Sequence, residues 1–272
     1  MPRRPPVLGE KGGGPWEVLD GIINLNKSVG ITSAKALYKV RSITHIRKSG
    51  HAGTLDPGAD GVLVICLGKA TKLVEHIMDQ PKVYRATARL DVTSDSFDSD
   101  SPLREVEVAS VPGRDEVEHT LAGFEGTIEQ VPPAISALKV GGVPAYKLAR
   151  KGRPVQLESR AVTIYWVHLH AYAWPHLDFE IACGRGTYVR ALIRDVGRGL
   201  GTGGCLTSLT RKAVGPFWLQ DAWTIERLQT HAPAEYILPL AAPSVAVLSR
   251  RPVTIPYRSE PSRPETTGER QA

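Results

Sequence analysis

The chain has 272 residues, of which 42% are hydrophobic, and carries a formal net charge of +6. These values describe a globular protein that can bury one sizeable core, with at most a small appendage. The sequence predicts no membrane-spanning helix, because no stretch approaches the roughly 20 consecutive apolar residues that one requires. The N-terminus also lacks the apolar core of a signal peptide. We therefore expect a cytoplasmic protein without membrane contact.

The charged residues and the cysteines limit which binding partners and which kinds of site can be expected. Most of the positively charged residues are arginines. A protein with this excess of positive charge can bind the phosphates of a polyanion, although the charge alone does not show that it does. The three cysteines, Cys66, Cys183 and Cys205, are odd in number and far apart. They therefore indicate neither a disulfide framework nor a zinc site, and we expect them to be packing residues.

The first predicted elements follow a flexible lead-in. Residues 1–19 mix proline, glycine and charge, which is typical of a flexible segment. A short strand is predicted at residues 22–27, then a helix at residues 34–43 that Thr32 or Ser33 would cap. Lys27 ends this strand. It lies either near a bound nucleic acid or near the loop that follows, or else in solvent as an ordinary lysine at a strand end, and these interpretations stay open.

The next stretch, residues 50–61, is the most informative part of the chain. Glycines at 50, 53, 58 and 61, together with Pro57, predict an irregular but fixed loop that a partner can approach closely. Asp56 lies inside it, and the apolar run at residues 62–67 predicts a buried strand directly behind it. On its own, the Asp-Pro-Gly sequence would be an ordinary turn.

Beyond this strand the pattern alternates between helix and strand. We predict a helix at residues 70–78, a strand that opens at Tyr84 and a helix at residues 112–122. The intervening segment concentrates four aspartates at positions 91, 95, 98 and 100. It lacks the glycine and closing glutamate of a calcium loop, so we expect a solvated loop and no metal site.

The second half begins with a basic segment at residues 132–153, where a turn at Gly141-Gly142 precedes a short helix at residues 144–150. Paired strands are predicted at residues 162–167 and 177–183, and they lead into a loop at residues 184–188. Arginines at 190, 194 and 198 then recur every four residues. They would line one face of a helix that ends at residues 199–201, the last two as a solvated stripe.

Four blocks of sequence carry a resemblance to a known family. They lie at residues 51–57 with the strand and residues 68–72 that follow, and at residues 82–90, 132–139 and 184–190. In this order they closely resemble the TruB family of tRNA pseudouridine-55 synthases, of the bacterial type with a shortened C-terminus. The likeness extends over most of residues 20–225. The chain departs from the family at Asn26-Lys27-Ser28, where Asp-Lys-Pro is usual.

The resemblance implies a fold and a division of the chain. The fold would be α+β, the pseudouridine synthase fold, with a mixed, largely antiparallel central sheet flanked by helices. Residues 20–225 would form the catalytic domain, with a thumb-like insertion at about 130–153 that clasps an RNA hairpin. Residues 226–248 would be a short C-terminal extension and residues 249–272 a disordered tail, since too few residues remain for a further domain.

The resemblance also implies an activity, the isomerisation of the TΨC-loop uridine of tRNA (U55) to pseudouridine in a base-flipping site without metal or cofactor. Asp56 would be catalytic, as nucleophile on carbon or as base on the sugar, and both roles stay open. Tyr188 would be a general base and Arg190 would pair with Asp56 and orient it. The other implied or predicted substrate contacts are Tyr84, which would stack on the base, the apolar wall Leu209, and His51, Lys27, Lys72, Lys139, Lys147, Arg150 and Lys151.

The expected partner is the T-arm hairpin of tRNA, bound by a monomer that needs no protein partner. Two alternatives remain. A guide-RNA-dependent synthase shares the central motif but normally carries a full C-terminal RNA-binding domain. A catalytically idle RNA-binding module would have no use for Asp56 in a polyanion site, so the intact set of Asp56, Tyr84, Tyr188 and Arg190 argues against it.

Overall fold

The computed structural model of the protein describes residues 20–136, 138–140, 143–145, 157–246 and 248. Three segments predicted from the sequence lie wholly or partly outside these residues. They are the flexible lead-in, the C-terminal tail and nearly half of the thumb-like insertion, including Lys147, Arg150 and Lys151. The division into domains therefore stays a prediction.

One mixed sheet organises the described part of the chain. Its strands are β1 (Gly21–Lys27), β2 (Ser49–Ala52), β3 (Asp60–Leu67), β4 (Lys82–Arg89), β7 (Gly126–Gln130), β10 (Arg160–Ala173), β11 (His176–Cys183), β12 (Cys205–Val214), β13 (Phe217–Trp218) and β14 (Leu238–Pro239). They are ordered β14-β1-β3-β12-β4-β11-β10-β7, with β2 paired to β3 and β13 paired to β12. Two small ribbons stand apart, β5 (Val92–Thr93) with β6 (Arg104–Glu105) and β8 (Lys139–Val140) with β9 (Val143–Pro144).

The pairing is antiparallel at every strand contact of this sheet except one. β3 and β12 run parallel, which places Asp60 opposite Thr210 and Gly61 opposite Arg211. The predicted mixed, largely antiparallel sheet is therefore confirmed. Since β3 follows directly on the loop that holds Asp56, the parallel pair brings the middle of β12 under that loop.

The helices cover the sheet. They are α1 (Ser33–Thr44), α2 (Val74–Asp79), α3 (Arg114–Ala122), α4 (Val189–Leu200), α5 (Ile225–Thr230), α6 (Pro233–Tyr236) and α7 (Pro243–Ala246), with 3₁₀ helices at Gly68–Leu73 and Leu219–Asp221. In the part of the chain that the structure describes, each of these helices is too short or too polar to span a bilayer.

Most of the predicted elements are confirmed, with ends displaced by a few residues. Thr32 caps α1 by accepting the N–H of Lys35 at 3.1 Å, and α4 ends at Gly201, whose φ of 67° is left-handed. The α-helix predicted at residues 70–78 is wrong in its first half, which is a 3₁₀ helix. There the positive φ of Gly68 and the Asp20 carboxylate, which accepts the N–H of Lys69 at 2.7 Å, hold a tighter turn.

Two apolar clusters meet beneath the candidate site. One lies between the sheet and helices α3 and α4, with Phe179 and Ile193 fully buried. The other lies between the sheet and helices α1 and α5, with Leu37 and Ile65 among its members. The partly buried Tyr84 and Leu209 pack against both clusters, so these two predicted site residues stand where the clusters join.

The predicted packing role of the three cysteines can be tested through the reactivity of their thiols. All three are free and buried, and burial raises the pKa of the Cys66 thiol to about 12 and that of Cys183 to about 11. A buried, protonated thiol is a poor nucleophile. We expect the native protein to react with a thiol reagent orders of magnitude more slowly than the denatured protein, measured by absorbance near neutral pH. One thiol that reacts at once in the native protein would contradict this packing role.

Candidate active site

The loop between β2 and β3 holds Asp56, and the start of α1 fixes its backbone. The buried hydroxyl of Ser33 donates to the Leu55 carbonyl at 2.9 Å and accepts the Leu55 N–H at 2.8 Å. The N–H of Gly30 donates to the Pro57 carbonyl at 2.9 Å. Both neighbours of Asp56 are thus held by hydrogen bonds, which gives its side chain a defined direction.

Arg211, a residue of β12, forms hydrogen bonds with both ends of the same loop. Its side chain is buried, and its guanidinium donates to the Val62 carbonyl at 2.7 Å and to the Gly53 carbonyl at 3.1 Å. Gly53 and Gly61 have φ values of +91° and +98°, and a Cβ at Gly61 would collide with the backbone of Arg211. The loop therefore needs glycine at these two positions, as the sequence predicts, and Arg211 ties its two ends together.

Asp56 meets Arg190 across the pocket. Arg190 lies in the first turn of α4, and its Nη2 is 2.7 Å from the Asp56 Oδ2. Its Nη1 donates to the carbonyls of Ser96 at 3.1 Å and Ile135 at 3.0 Å. The Arg190 side chain is 7% exposed and that of Asp56 is 45% exposed, so a buried guanidinium with three hydrogen bonds holds a carboxylate at the wall of an open cavity.

The cavity around this pair has a volume of about 350 Å³, within the size range of small-molecule sites. Five residues predicted from the sequence line it, namely Asp56, Tyr84, Tyr188, Arg190 and Leu209. The structure therefore brings together side chains that lie up to 153 residues apart in the chain. The other lining residues are Gly53, Thr54, Leu55, Met78, Lys82, Leu138, Arg160, Gly184, Arg185, Gly186, Thr187, Val189 and Arg211.

Tyr188 is positioned by two residues, Gln130 and Arg160, that the sequence does not indicate. The buried amide of Gln130 accepts the Tyr188 N–H at 2.8 Å and donates to the Tyr188 carbonyl at 3.2 Å. The guanidinium of Arg160 lies 5.1 Å from the centre of the Tyr188 ring and donates to the Gly186 carbonyl at 3.1 Å. Backbone and ring of Tyr188 are thus each held by a separate side chain.

Two side chains of β4 contribute to the wall. Burial raises the pKa of the Tyr84 phenol, an effect that the neighbouring Arg211 opposes, so the hydroxyl is protonated at neutral pH. Lys82, also missed from the sequence, donates to the carbonyls of Gln80 at 2.7 Å and of Met78. Burial lowers the pKa of its amine to about 8.

Lys27 requires a correction. Its side chain is completely buried, and its Nζ donates to the carbonyls of Ile31 at 2.9 Å and Ser28 at 3.1 Å. Burial lowers the pKa of this amine, and the negative charge of Asp60 opposes that effect. The solvated interpretation is therefore wrong, and a completely buried amine does not contact a substrate directly. Lys27 does lie beside the central loop, as the other interpretation allowed, since it pairs with Gly61, and its amine supports the backbone before α1.

Two of the remaining predicted contacts, His51 and Lys72, are not among the described residues that line the cavity. His51 is partly buried in β2, where burial lowers the pKa of its imidazole, and Lys72 is exposed on the 3₁₀ helix. The backbone of Lys139 lies in β8, and its side chain falls outside the described structure. Within the described residues, no group of three or more His, Cys, Asp or Glu side chains could hold a metal ion.

The chain matches known proteins over most of its length. Residues 41–189 match the model of the TruB family pseudouridylate synthase, N-terminal domain. The chain is 39% identical to the tRNA pseudouridine synthase B of Clostridium kluyveri, over 82% of this chain and 76% of the relative. It is 43% identical to the protein of that name in Pseudomonas paraeruginosa, over 78% of this chain and 69% of the relative.

A solved structure of a Cbf5-Nop10-Gar1 complex also matches, with a TM-score of 0.61 and 29% identity over 77% of this chain. The chain spans about half the length of the matched chain in that complex, 53%. This likeness supports the predicted pseudouridine synthase fold. With the family match across more than half of the residues and relatives near 40% identity, the chain belongs to the TruB family of pseudouridylate synthases.

Proposed function

We propose that this protein isomerises the TΨC-loop uridine of tRNA, U55, to pseudouridine, with Asp56 as the catalytic carboxylate. The observation that carries the proposal is the pairing of Asp56 with Arg190 at 2.7 Å in a cavity walled by Tyr84, Tyr188 and Leu209. The names of the relatives support tRNA as the substrate class. The cavity is wide enough for a base that has left its stack, which enzymes acting on bases require.

The chemistry explains why this set of side chains suffices. The reaction breaks the bond between C1′ and N1 of uridine and joins C1′ to C5. A proton leaves C5 and a proton is taken up at N1, so atoms and electrons balance without an oxidant or a reductant. Asp56 attacks C1′ or removes a proton from the sugar. Either role needs a charged carboxylate held at one position, which the salt bridge to Arg190 provides.

The walls of the cavity take the remaining roles. The ring of Tyr84 stacks on the base, and Leu209 keeps water from the separated base and sugar. The phenol of Tyr188 acts as general base on a proton of the base or the sugar, and Gln130 and Arg160 hold it in place. The predicted RNA contacts at His51, Lys72, Lys139, Lys147, Arg150 and Lys151 lie outside this cavity or outside the described residues.

The test is to incubate the purified chain with an unmodified tRNA transcript and to map pseudouridine by primer extension after carbodiimide treatment. We expect one modified position, the TΨC-loop uridine, and none in a transcript with cytidine there. A T-arm hairpin in the presence of a chelator tests the absence of a metal requirement without unfolding the RNA. Modification at another position would overturn the specificity, and dependence on an added guide RNA or protein would overturn the independence from partners.

Arg211→Lys tests how the loop is held. Lysine keeps the positive charge, but it lacks the planar guanidinium that donates to both the Gly53 and the Val62 carbonyl. We expect the turnover of bound tRNA to fall by about tenfold or more, as for a displaced catalytic group, while the dissociation constant of tRNA stays within about threefold. Single-turnover kinetics and binding measurements separate the two. Unchanged turnover would show that the loop holds its geometry without Arg211.

A further inference from the structure

The positive charge of the chain is concentrated in one segment. Residues 21–55 contain no Asp or Glu and six Lys or Arg, as many as the formal net charge of the whole protein, +6. One of the six, Lys27, is buried. The other five lie on α1 or in the turn after it, at Lys35, Lys39, Arg41, Arg47 and Lys48.

An exposed aromatic side chain stands among these cations. Tyr38 is 71% exposed, the most exposed of the large hydrophobic residues in the described structure. It shares one face of α1 with Arg41 and Ser42, three and four residues further along the helix. These three residues and Arg47 line an open hollow of about 300 Å³. We call these four residues the α1 surface.

The α1 surface is held in shape and keeps its charge. The guanidinium of Arg41 donates to the Ser49 hydroxyl at 2.7 Å and to the Ser49 carbonyl at 2.6 Å, which fixes it against β2. Among the residues that the structure describes, neither Arg41 nor Arg47 forms a salt bridge with a carboxylate. Their charge is therefore available to a partner.

We propose that the α1 surface is a second RNA contact, at which Tyr38 stacks on an unpaired base while Arg41 and Arg47 bind the phosphates on either side of it. Aromatic rings next to cations are the usual means by which proteins bind single-stranded RNA. The proposal rests on the proposed function for the identity of this RNA, which is the tRNA substrate.

This contact is separate from the catalytic cavity. Ser33 touches the loop next to Asp56, and Tyr38 and Arg41 lie five and eight residues further along α1. At a rise of 1.5 Å per residue they stand roughly 8 and 12 Å further along the helix axis. The nucleotide at Asp56 therefore does not fill both places, and the α1 surface takes another nucleotide of the same molecule.

The experiment measures the dissociation constant of unmodified tRNA over a salt series for Tyr38→Ala, Tyr38→Phe and Arg47→Gln. Arg114→Gln is the control, since Arg114 is an exposed cation on α3, which packs on β10 at the other end of the sheet. We expect Tyr38→Ala to weaken binding about fivefold or more, the loss of one stacked base, and Tyr38→Phe to bind like the unaltered protein. Arg47→Gln should lower the salt slope by about one phosphate contact, and Arg114→Gln should leave it unchanged.

Three results would overturn the proposal. They are a dissociation constant within about twofold of the unaltered protein for Tyr38→Ala, equal losses for Tyr38→Ala and Tyr38→Phe, or equal salt slopes for Arg47→Gln and Arg114→Gln. The first result would show that Tyr38 stacks on no base of the tRNA. Pseudouridine formation by the unaltered protein is a separate readout, so failure of the α1 surface and failure of the proposed function are distinguishable.

Discussion

Asp56→Asn should lower the single-turnover rate of pseudouridine formation by at least about a hundredfold, the low end for the loss of a catalytic proton-transfer group. Asparagine has the same shape but cannot act as nucleophile or base. Its amide oxygen still accepts a hydrogen bond from Arg190, which also keeps its bonds to Ser96 and Ile135. We therefore expect an unchanged melting temperature and tRNA binding within a few-fold of the unaltered protein.

The matched control is Asp95→Asn, which removes an exposed carboxylate paired with Arg104 at 2.8 Å. This change removes the same charge from the protein outside the cavity, so it should leave the rate unaltered. A rate above about one hundredth of normal in Asp56→Asn would refute the catalytic assignment. Equal losses in both variants would instead show that net charge, through RNA binding, is what matters.

The sequence predicts the regular parts of this fold because their hydrophobic periods are local. The stretches at 162–167 and 177–183 do pair, as parts of β10 and β11, and the arginines spaced by four residues do lie on α4. The predicted solvated stripe is wrong for Arg194, whose largely buried side chain bonds Asp195 and the Val131 carbonyl. The error at residues 70–78 arises from a contact with Asp20, about fifty residues earlier in the chain. No local pattern reports such a contact.

In the candidate site, too, the sequence predicts the local features and does not predict the contacts between distant residues. The glycines of the central loop predict its irregular backbone, and two of them do have positive φ values. The approach of Arg190 to Asp56 joins residues 134 positions apart, and only the family resemblance indicated it. Arg211 and Gln130 were missed, because an arginine or glutamine in a strand pattern is normally exposed. Their burial depends on carbonyl and amide partners that tertiary structure supplies.

Arg190→Lys should lower turnover by at least about tenfold while tRNA binding changes much less. The guanidinium of Arg190 bonds three acceptors from three segments, Asp56, Ser96 and Ile135. Lysine has one compact ammonium group that cannot reproduce this planar arrangement, so the Asp56 carboxylate loses its fixed direction. Because the Arg190 side chain is buried, we also expect Arg190→Lys to lower the melting temperature of the protein.

Arg198→Lys is the control for Arg190→Lys, since Arg198 lies on the same helix with a side chain 76% exposed. It should turn over tRNA normally, because an exposed arginine loses little when lysine replaces it. Single-turnover rates at saturating protein, together with dissociation constants, separate chemistry from binding. If Arg190→Lys loses binding while the bound complex reacts at the normal rate, Arg190 acts as a phosphate contact. Its bond to Asp56 would then be a feature of the RNA-free protein alone, and the carboxylate would take its working position from the substrate.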